Sequence, residues 1–546
     1  MAQLRSWFVI IVMLFIQNSN AQTIIPDNST ISGSWTLSDS PYVIQGRAIV
    51  PNGQTLTIEP GVEIRLTSST SSLPSWFEFS SGNIGVIRVQ GEIIANGTAA
   101  NPILFTRDNL GFWGSILIDE NASSSSSFTN CIIEYSKETR NVTGISAVVS
   151  FNAGISVFRT AISIDQNEFR NNNINGLYMK EVNTSMDFSN NLFFDNGASG
   201  VVLEESASNS INNTFYNNSI VSSGLVAAIR SSNSTTYIIG NLIYNNDDLG
   251  IFTTNGGNHY LINTTIYGNA QGVRVDSDAN TFIHNSIIQN NVLNFATNSI
   301  GNAVIEMEFS LTDNINFPPN VVDVAGNVLS ADALFTDVGM NDFSLQSSSP
   351  SIDSGNPSTV GLTIPTVDLL GNPRVDNTVI DMGAIEFQHP IITYLVTTSS
   401  IPSLSGTTSG GGTFANGDNV TVTATENSGF SFINWSENGS PVSTQQNYSF
   451  TISSDRDLVA IFEDIVGLEE EFFNDGDHTL VYPNPTKGVI KIEKNNFQFA
   501  EVYDIQGKII ATSLEKIIDL SDEQPGIYFL KSYSSNSVST TKIIKN

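Results

Sequence analysis

The sequence cannot form an intramolecular disulfide bond, because Cys131 is its single cysteine. The fold must therefore be stabilised by its core, and we expect the Cys131 thiol to be buried there. Positive charge is scarce too: 22 Lys and Arg against 53 Asp and Glu give a net charge of −31. Such a surface repels nucleic acid and anionic lipid, so neither is an expected partner.

Apolar runs long enough to cross a membrane are also missing. The longest run, residues 7–16, has ten residues, whereas a membrane-spanning helix needs about 20. Arg5 precedes this run and the small residues Ser19 and Ala21 follow it, which is the pattern of a secretory signal peptide over residues 1–21. We therefore expect an exported chain that has no transmembrane segment.

Runs of helix-forming residues are absent between residues 164 and 291 as well, and this stretch contains a repeat instead. Six segments of the type NEFRNN, the first at Asn167, start 24, 22, 28, 23 and 21 residues apart. Their alternating Ile, Phe, Val and Tyr residues favour a parallel β-helix over a leucine-rich repeat. The spacing predicts a ladder of stacked side-chain amides inside the coil. Its expected members are Asn172, Asn196, Asn218, Asn246, Asn269 and Asn290.

Strand alternation then predicts which side chains point outward. Two neighbouring outward columns are expected to be exposed, with the longest turn aligned at Ala228 and Arg230. The first column is Lys180, Glu204, Arg230, Thr254 and Asp276, and the second is Tyr178, Val202, Ala228, Phe252 and Arg274. His259 and His284 lie 25 residues apart, near one turn, so we expect a stacked pair on the surface.

The N-terminal part resembles a known family. The phrases VIQGRAIVPNGQTLTIEPGVEIRL, from Val43, and IRVQGEIIANGTAANPILFT, from Ile87, are similar to the opening turns of secreted right-handed β-helix proteins of the pectin-lyase-like superfamily. This resemblance implies a right-handed parallel β-helix over residues 22–390. The longer loop that contains Trp76 and Phe77 is expected to cover the N-terminal end of the core; the alternative is a loop that borders a ligand site.

Residues 310–390 resemble the choice-of-anchor Q module, which commonly closes such β-helices. The residues at its motif positions are Asp353, Asp368, Arg374, Asp381 and Glu386. A set of carboxylates around one arginine is compatible with a metal ion. We favour a structural role, in which these groups satisfy one another and an irregular backbone.

Two small all-β segments follow. Residues 391–463 resemble the divergent internalin-type B repeat, with Trp435 expected in its core, and an acidic linker spans 464–478. Residues 479–546 contain VYPNPTKGVIKIE and PGIYFLKSY in order and are similar to the type A sorting domain of the type IX secretion system. The fold class is therefore all-β: a right-handed parallel β-helix followed by two small β-sandwich-like domains.

The sorting resemblance implies export by the type IX machinery to the outer-membrane surface of a Gram-negative bacterium, or release from it. The leading hypothesis is a monomeric, non-catalytic protein that binds a glycan or mediates adhesion, with Tyr178, Phe252 and Arg274 as binding residues. The alternatives are a structural stalk and a lyase or hydrolase of acidic polysaccharides. In lyases of the family, an Arg or Lys base acts beside calcium or other cations. The catalytic candidates are Lys180, Glu204, Arg230 and Asp276. No metal site is assigned and no cofactor is expected, although the excess carboxylate is compatible with calcium.

Overall fold

The computed structural model describes residues 22–68, 84–137, 152–220, 225–298, 301–314, 317–356, 364–377, 379–465, 479–535 and 537–546. The expected signal peptide, the loop tip with Trp76 and Phe77, and most of the acidic linker lie outside the described residues. The chain divides into two compact units, Met1–Pro390 and Ile391–Asn546. Among the described residues, no helix is long and apolar enough to cross a membrane.

The first unit is a coil of short parallel strands, in which each turn contributes one strand to each of three long sheets. The described strands of sheet 1 are Thr23–Ile25, Tyr42–Ile44, Glu63–Leu66, Ile103–Arg107, Cys131–Glu134, Glu168–Arg170, Leu192–Phe194, Thr214–Tyr216, Leu242–Tyr244, Thr265–Tyr267, Ile287–Gln289, Leu311–Thr312 and Leu329–Ser330. Those of sheet 2 are Ser29–Thr30, Arg47–Val50, Val86–Val89, Ile116–Ile118, Ala153–Phe158, Asn175–Lys180, Val201–Glu204, Ala227–Ser232, Leu249–Thr254, Gln271–Val275 and Leu293–Thr297. Those of sheet 3 are Gly33–Trp35, Thr55–Ile58, Glu92–Asn96, Ser127–Thr129, Ser163–Asp165, Met186–Ser189, Ala207–Ile211, Thr235–Ile239, Asn258–Ile262, Asn280–His284, Val304–Glu308 and Val321–Asp323. The predicted right-handed parallel β-helix is confirmed.

The interior of the coil is filled by identical positions of successive turns. The rings of Phe169, Phe193 and Phe215 stack with centroids 4.7 Å apart, which is the spacing of neighbouring strands. Ile243 and Ile266 continue the same column in the next turns. Cys131 lies in this core, where burial raises the pKa of its thiol above the usual range. Each turn therefore buries its apolar face only against the turns above and below it.

The predicted amide ladder is present. The Asn172 side-chain amide donates to Asn196 Oδ1 (2.9 Å), and Asn196 donates in turn to Asn218 Oδ1 (2.8 Å). Asn246 donates to Asn269 Oδ1 at 2.9 Å, and Asn218 and Asn246 are joined in the same way. The predicted last member is wrong, because Asn269 donates to Asn291 Oδ1 and not to Asn290.

The backbone explains this correction. At each corner the residue that precedes the ladder amide has a positive φ: Asn171 before Asn172, and Asn217 before Asn218. Asn290 has this left-handed conformation (φ 56°), and its side chain is exposed. Asparagine tolerates both positions, so the sequence NN leaves a one-residue ambiguity that only the turn geometry removes.

A second amide ladder runs along another corner of the coil. Asn167 donates to Asn191 Oδ1 and Asn191 to Asn213 Oδ1, each at 3.0 Å. The backbone N–H of Asn213 donates to Asn241 Oδ1 at 2.9 Å. These asparagines begin the repeated segments in the sequence, and in later turns the hydroxyl of Ser286 takes over as acceptor. Both corners of sheet 1 are therefore fixed by buried side-chain hydrogen bonds.

The segment after the last complete turns folds back along the outer face of sheet 1. This segment contains a hairpin, Phe335–Asp337 with Asp342–Leu345, and the short 3₁₀ helix Val338–Met340. A 3₁₀ helix in the first turn of the coil, outside this segment, spans Leu37–Asp39. Asn263 Nδ2 donates to Asp381 O at 2.8 Å, so this segment is fixed to a turn more than 100 residues earlier. This segment therefore packs against the outer face of sheet 1. Its expected likeness to the choice-of-anchor Q module stays a prediction.

The second unit contains antiparallel sheets and one parallel strand pair. Trp435 is fully buried, with Nε1 donating to Gln446 O at 3.1 Å, as expected for a core aromatic. The first group of strands is Thr393–Ile401, Gly406–Ser409, Gly412–Ala415, Asn419–Glu426, Phe430–Glu437, Ser440–Ser443, Asn447–Thr451 and Arg456–Asp464. The terminal group is Leu480–Tyr482, Val489–Glu493, Phe497–Tyr503, Ile509–Ser513, Ile517–Asp519, Gly526–Ser534 and Val538–Lys545.

Candidate functional site

The two predicted outward columns lie on sheet 2, but their register differs from the prediction in the longest turn. Val202 pairs with Arg230, and Arg230 with Phe252, so Arg230 belongs to the column of Tyr178. Ser232 takes the place predicted for Arg230, between Glu204 and Thr254. The shift is two residues because the extra residues of this turn all precede its strand.

Ala228 marks the same shift. It was expected to point outward, yet it is fully buried in the core. A Cβ atom added to Gly200 would collide with the carbonyl oxygen of Ala228 in the next turn. A Cβ atom added to Gly250 would collide in the same way with the carbonyl oxygen of Gly272. Ala228 therefore occupies the inward column that glycine holds in the neighbouring turns.

Glu204 is the centre of the charged cluster on this face. Tyr178 Oη donates to Glu204 Oε2 at 2.8 Å, and Lys180 Nζ lies 3.6 Å from the same carboxylate oxygen. Arg230 Nη1 lies 3.9 Å from Glu204 Oε1. The structure thus brings together three of the four predicted catalytic residues, with one carboxylate shared between two cations.

The fourth predicted catalytic residue belongs to a separate pair. Asp276 accepts hydrogen bonds from Arg274, with Nη2 at 3.0 Å from Oδ2. Asp276 is only 4 % exposed, and the Arg274 guanidinium lies 5.8 Å from the centre of the Phe252 ring. Arg274 and Phe252, two of the predicted binding residues, are therefore in contact with each other.

The expectation that these columns are exposed is wrong for their aromatic members. Tyr178 is 5 % exposed and Phe252 is 4 % exposed, so neither ring offers a free face to a sugar. Burial raises the pKa of Tyr178 above its usual range, and the nearby Glu204 carboxylate adds to the effect. A neutral phenol hydrogen-bonded to a carboxylate is a stable arrangement that fixes Glu204 in position.

The histidine prediction is wrong as well. His259 pairs with Thr281 on the inward face of sheet 3 and is fully buried, whereas His284 pairs with Ile262 on the outward side. Since 25 residues exceed the true period of this part by three, the two side chains point to opposite faces. His284 instead contacts Glu308, with Nδ1 at 2.7 Å from Oε1. Phe282, Glu306 and Val324 join this pair around a small pocket of about 130 Å³.

A larger groove lies between sheet 1 and the segment that folds back over it, with a volume of about 360 Å³. Its apolar lining is Leu192, Leu242, Tyr244, Phe343, Leu369, Leu370 and Ile385, and its polar lining is Asn190, Asn191, Asn212, Thr214, Asn341 and Asp342. Leu192 and Leu370 are 37 % and 62 % exposed. Asp342 is the only charged residue of this lining. The groove was missed from the sequence because its two walls are about 150 residues apart in the chain.

The aromatic rings beside this groove form a stack along sheet 1. Phe194 and Tyr216 have centroids 4.9 Å apart, and Tyr216 and Tyr244 are 5.2 Å apart. Tyr244 then contacts Phe343 of the hairpin at 4.9 Å. Since Phe194, Tyr216 and Tyr244 cover one another's faces, little of these faces is left open to a ligand, and Phe343 of the hairpin lines the groove beside Tyr244.

The carboxylates at the motif positions of residues 353–386 hold the outer wall in place. Asp381 Oδ1 accepts from the backbone N–H of Asp353 (2.7 Å), and Asp381 Oδ2 accepts from that of Phe387 (2.6 Å). Glu386 accepts from the N–H of Asp381 at 3.2 Å. Burial raises the pKa of Asp381 to about 6 and that of Glu386 to about 8.

Arg374 completes this arrangement. Its guanidinium donates to the carbonyl oxygens of Gly383 (3.2 Å) and Ala384 (3.1 Å). The buried guanidinium has Asp368, Glu386 and Asp381 around it, although burial lowers its pKa. The set bonds mainly to the irregular backbone, which supports the structural role. Within the part of the chain that the structure describes, no group of three His, Cys, Asp or Glu residues could hold a metal ion.

Comparison with known proteins identifies three segments. Residues 29–143 match the pectate-lyase-like β-helix domain, residues 396–466 the divergent InlB B-repeat domain, and residues 480–546 the secretion system C-terminal sorting domain. The sorting domain indicates a protein that is secreted or held at the cell surface and that engages the type IX secretion machinery. No curated protein matches the chain.

Several solved structures align with the chain at low sequence identity. Pectate lyase Pel9A is 13 % identical, with 62 % of this chain and 89 % of that chain covered and a TM-score of 0.36. The enzymatically active domain of bacteriophage CBA120 tailspike protein 2 is 13 % identical, with 95 % and 79 % covered and a TM-score of 0.29. The full-length tailspike protein 2 of an Escherichia coli O157:H7 bacteriophage is 12 % identical, with 95 % and 71 % covered and a TM-score of 0.27.

Proposed function

We propose that this chain is a non-catalytic glycan-binding protein at the outer-membrane surface of a Gram-negative bacterium, and that the groove beside sheet 1 binds the sugar. The observation that carries the proposal is the lining of this groove. A sugar ring has apolar C–H faces and a polar hydroxyl edge, and the groove combines an apolar lining with several side-chain amides. Its volume of about 360 Å³ lies within the range of ligand sites, about 300–1,000 Å³.

The charge of the groove favours a neutral glycan over a uronate polymer. Asp342 is its only charged lining residue, and the chain carries a net charge of −31. A polyanion would approach this surface against electrostatic repulsion and would find no cation in the lining. Neutral oligosaccharides meet no such barrier, and we expect their binding to be insensitive to salt.

Leu370 offers a test, because it lines the groove and is 62 % exposed. Leu370→Asp should weaken binding of a neutral oligosaccharide by at least about tenfold, since it replaces apolar contact with a charge that must be desolvated. Leu110→Asp is the matched control, because Leu110 is 81 % exposed and does not line the groove. Calorimetric titration of both variants and the parent chain with neutral and uronate oligosaccharides measures the effect. Equal affinities for the two variants would refute the groove as the site.

A lyase acting on acidic polysaccharides is the second candidate. It is favoured by the approach of Lys180 and Arg230 to one carboxylate, Glu204. Turnover of polygalacturonate or alginate, with or without calcium, would produce absorbance from unsaturated sugar ends. Loss of that absorbance in Arg230→Ala would establish this function, whereas binding of glycans without turnover supports the non-catalytic proposal.

A further inference from the structure

Apart from the amide ladders at the corners of sheet 1, one further part of the coil interior holds a group of buried polar side chains. It lies where sheet 2 meets sheet 3, on four successive turns related by the strand register. We call it the polar core patch; its residues are Ser208, Ser231, Thr236, Thr253, His259 and Thr281. All six side chains point inward and are at most 2 % exposed.

Three of these residues form hydrogen bonds with one another. Thr253 Oγ1 lies 2.6 Å from His259 Nδ1 and 3.3 Å from Thr281 Oγ1. The remaining polar atoms of the patch are Ser208 Oγ, Ser231 Oγ, Thr236 Oγ1 and His259 Nε2. None of these four atoms has a hydrogen-bond partner among the described residues of the protein. Buried polar groups in native proteins are nearly always hydrogen-bonded, so four bare atoms in one small region require a partner that is not a protein group.

The unpaired atoms are close together. Thr236 lies one strand below His259 and one strand above Ser208, and neighbouring strands are about 4.8 Å apart. Ser231 pairs with Thr253, and Thr236 pairs with His259. Since Thr253 and His259 are in contact in their turn, Ser231 and Thr236 occupy the corresponding positions in the turn before it. The four atoms therefore surround one region of the interior.

The side chains at these places also become smaller. Along sheet 2 the inward position changes from Met179 to Leu203 and then to Ser231. On sheet 3 it changes from Met186 to Ser208 and then to Thr236. At these two positions the turn of Ser231 therefore has fewer side-chain atoms than the turn of Met179, and a water molecule needs only about 30 Å³.

We propose that the polar core patch binds one or two ordered water molecules, which bridge Ser208, Ser231 and Thr236 to His259 Nε2. Water fits the chemistry because it both donates and accepts. Burial lowers the pKa of His259 to about 3, so the imidazole is neutral at ordinary pH. A neutral imidazole has one donor and one acceptor nitrogen. With Nδ1 bonded to Thr253, Nε2 still needs a partner whichever tautomer is present.

Thr236→Val in the full chain tests the proposal by stability. This change keeps the shape of the side chain and removes only the hydroxyl. If water occupies the site, the variant strands a water-bonded group and its midpoint of thermal unfolding should fall by about 2–4 °C. If the site is dry, the variant removes an unsatisfied hydroxyl, and the midpoint should stay or rise. Thr235→Val is the matched control, because Thr235 is exposed on the outward face of the same strand.

A direct measurement removes the dependence on stability. Crystallographic density inside the coil, or oxygen-17 magnetic relaxation dispersion in solution, should detect long-lived water in the parent chain. Ser231→Leu should remove that water, because leucine already fills the equivalent place at Leu203 one turn below. Density without water in the parent chain, together with a midpoint for Thr236→Val at or above that of its control, would overturn the proposal.

Discussion

Replacing one ladder amide, Asn196→Ala, tests whether the buried side-chain hydrogen bonds stabilise the coil. Asn196 is fully buried. Its amide donates to Phe169 O (2.9 Å) and Asn218 Oδ1 (2.8 Å), and its Oδ1 accepts from the side chain (2.9 Å) and the backbone N–H (3.3 Å) of Asn172. The φ of Asn196 is not in the left-handed region, so alanine can adopt the backbone. The change removes four hydrogen bonds without backbone strain.

The expected loss can be worked out from the groups left behind. The side-chain amide of Asn172 keeps a second acceptor, Ile133 O, and Asn218 Oδ1 still accepts from the backbone N–H of Asn196. The Asn172 N–H and Phe169 O are the groups left without these partners. At about 1–3 kcal/mol for each stranded group, the free energy of unfolding should fall by about 2–6 kcal/mol.

The assay is urea unfolding of the full chain followed by hydrogen exchange of the neighbouring turns. Because each turn of the coil pairs its strands with those of the turns above and below it, the loss should appear first as faster exchange around the changed turn. Asn209→Ala is the control, because its amide bonds Asp187 at the surface and its removal should cost less than about 0.5 kcal/mol. Two variants that differ by less than about 1 kcal/mol would refute the role we assign to the ladder.

Three further predictions follow from burial and from the sorting domain. Burial raises the pKa of Glu386 from 4.5 to about 8. The protonated carboxyl therefore contributes to folding stability fully below pH 4.5, and this contribution is lost as pH rises through about 8. The midpoint of thermal unfolding between pH 5 and 9 should therefore decline less in Glu386→Gln than in the parent chain. Burial also raises the pKa of the Cys131 thiol, and a thiol-specific reagent at pH 8 should react with it only after denaturant is added. Removal of residues 480–546, which match the sorting domain, should leave the protein in the cell fraction, as immunoblots of cells and medium would show; wild-type export would contradict the sorting role.

The sequence predicted the coil because its periodicity is a local property. Each turn repeats the same amide and the same inward apolar residue, so spacing alone indicates stacked turns. The errors in register arose where the spacing differs from the true period by one to three residues. Asn290 and Asn291 are chemically identical, and the extra residues of the longest turn could precede or follow its strand, which misplaced Arg230.

The candidate sites depended on information that spacing does not contain. Alternation correctly placed Tyr178 and Phe252 on the outward side of sheet 2, but an outward side chain is exposed only if nothing packs on it. The groove beside sheet 1 could not be predicted at all, since Leu192 and Phe343 come together only when the later segment folds back.

By itself, the sequence determined that this chain is an exported all-β coil with stacked amides and a C-terminal sorting domain, because those features are set by residues near one another in the chain or by short motifs. Only the tertiary structure decided which side chains meet across turns, which outward rings are buried, and where a ligand-sized groove lies. Those properties depend on strand register and on contacts between distant segments, and one inserted residue is enough to change them.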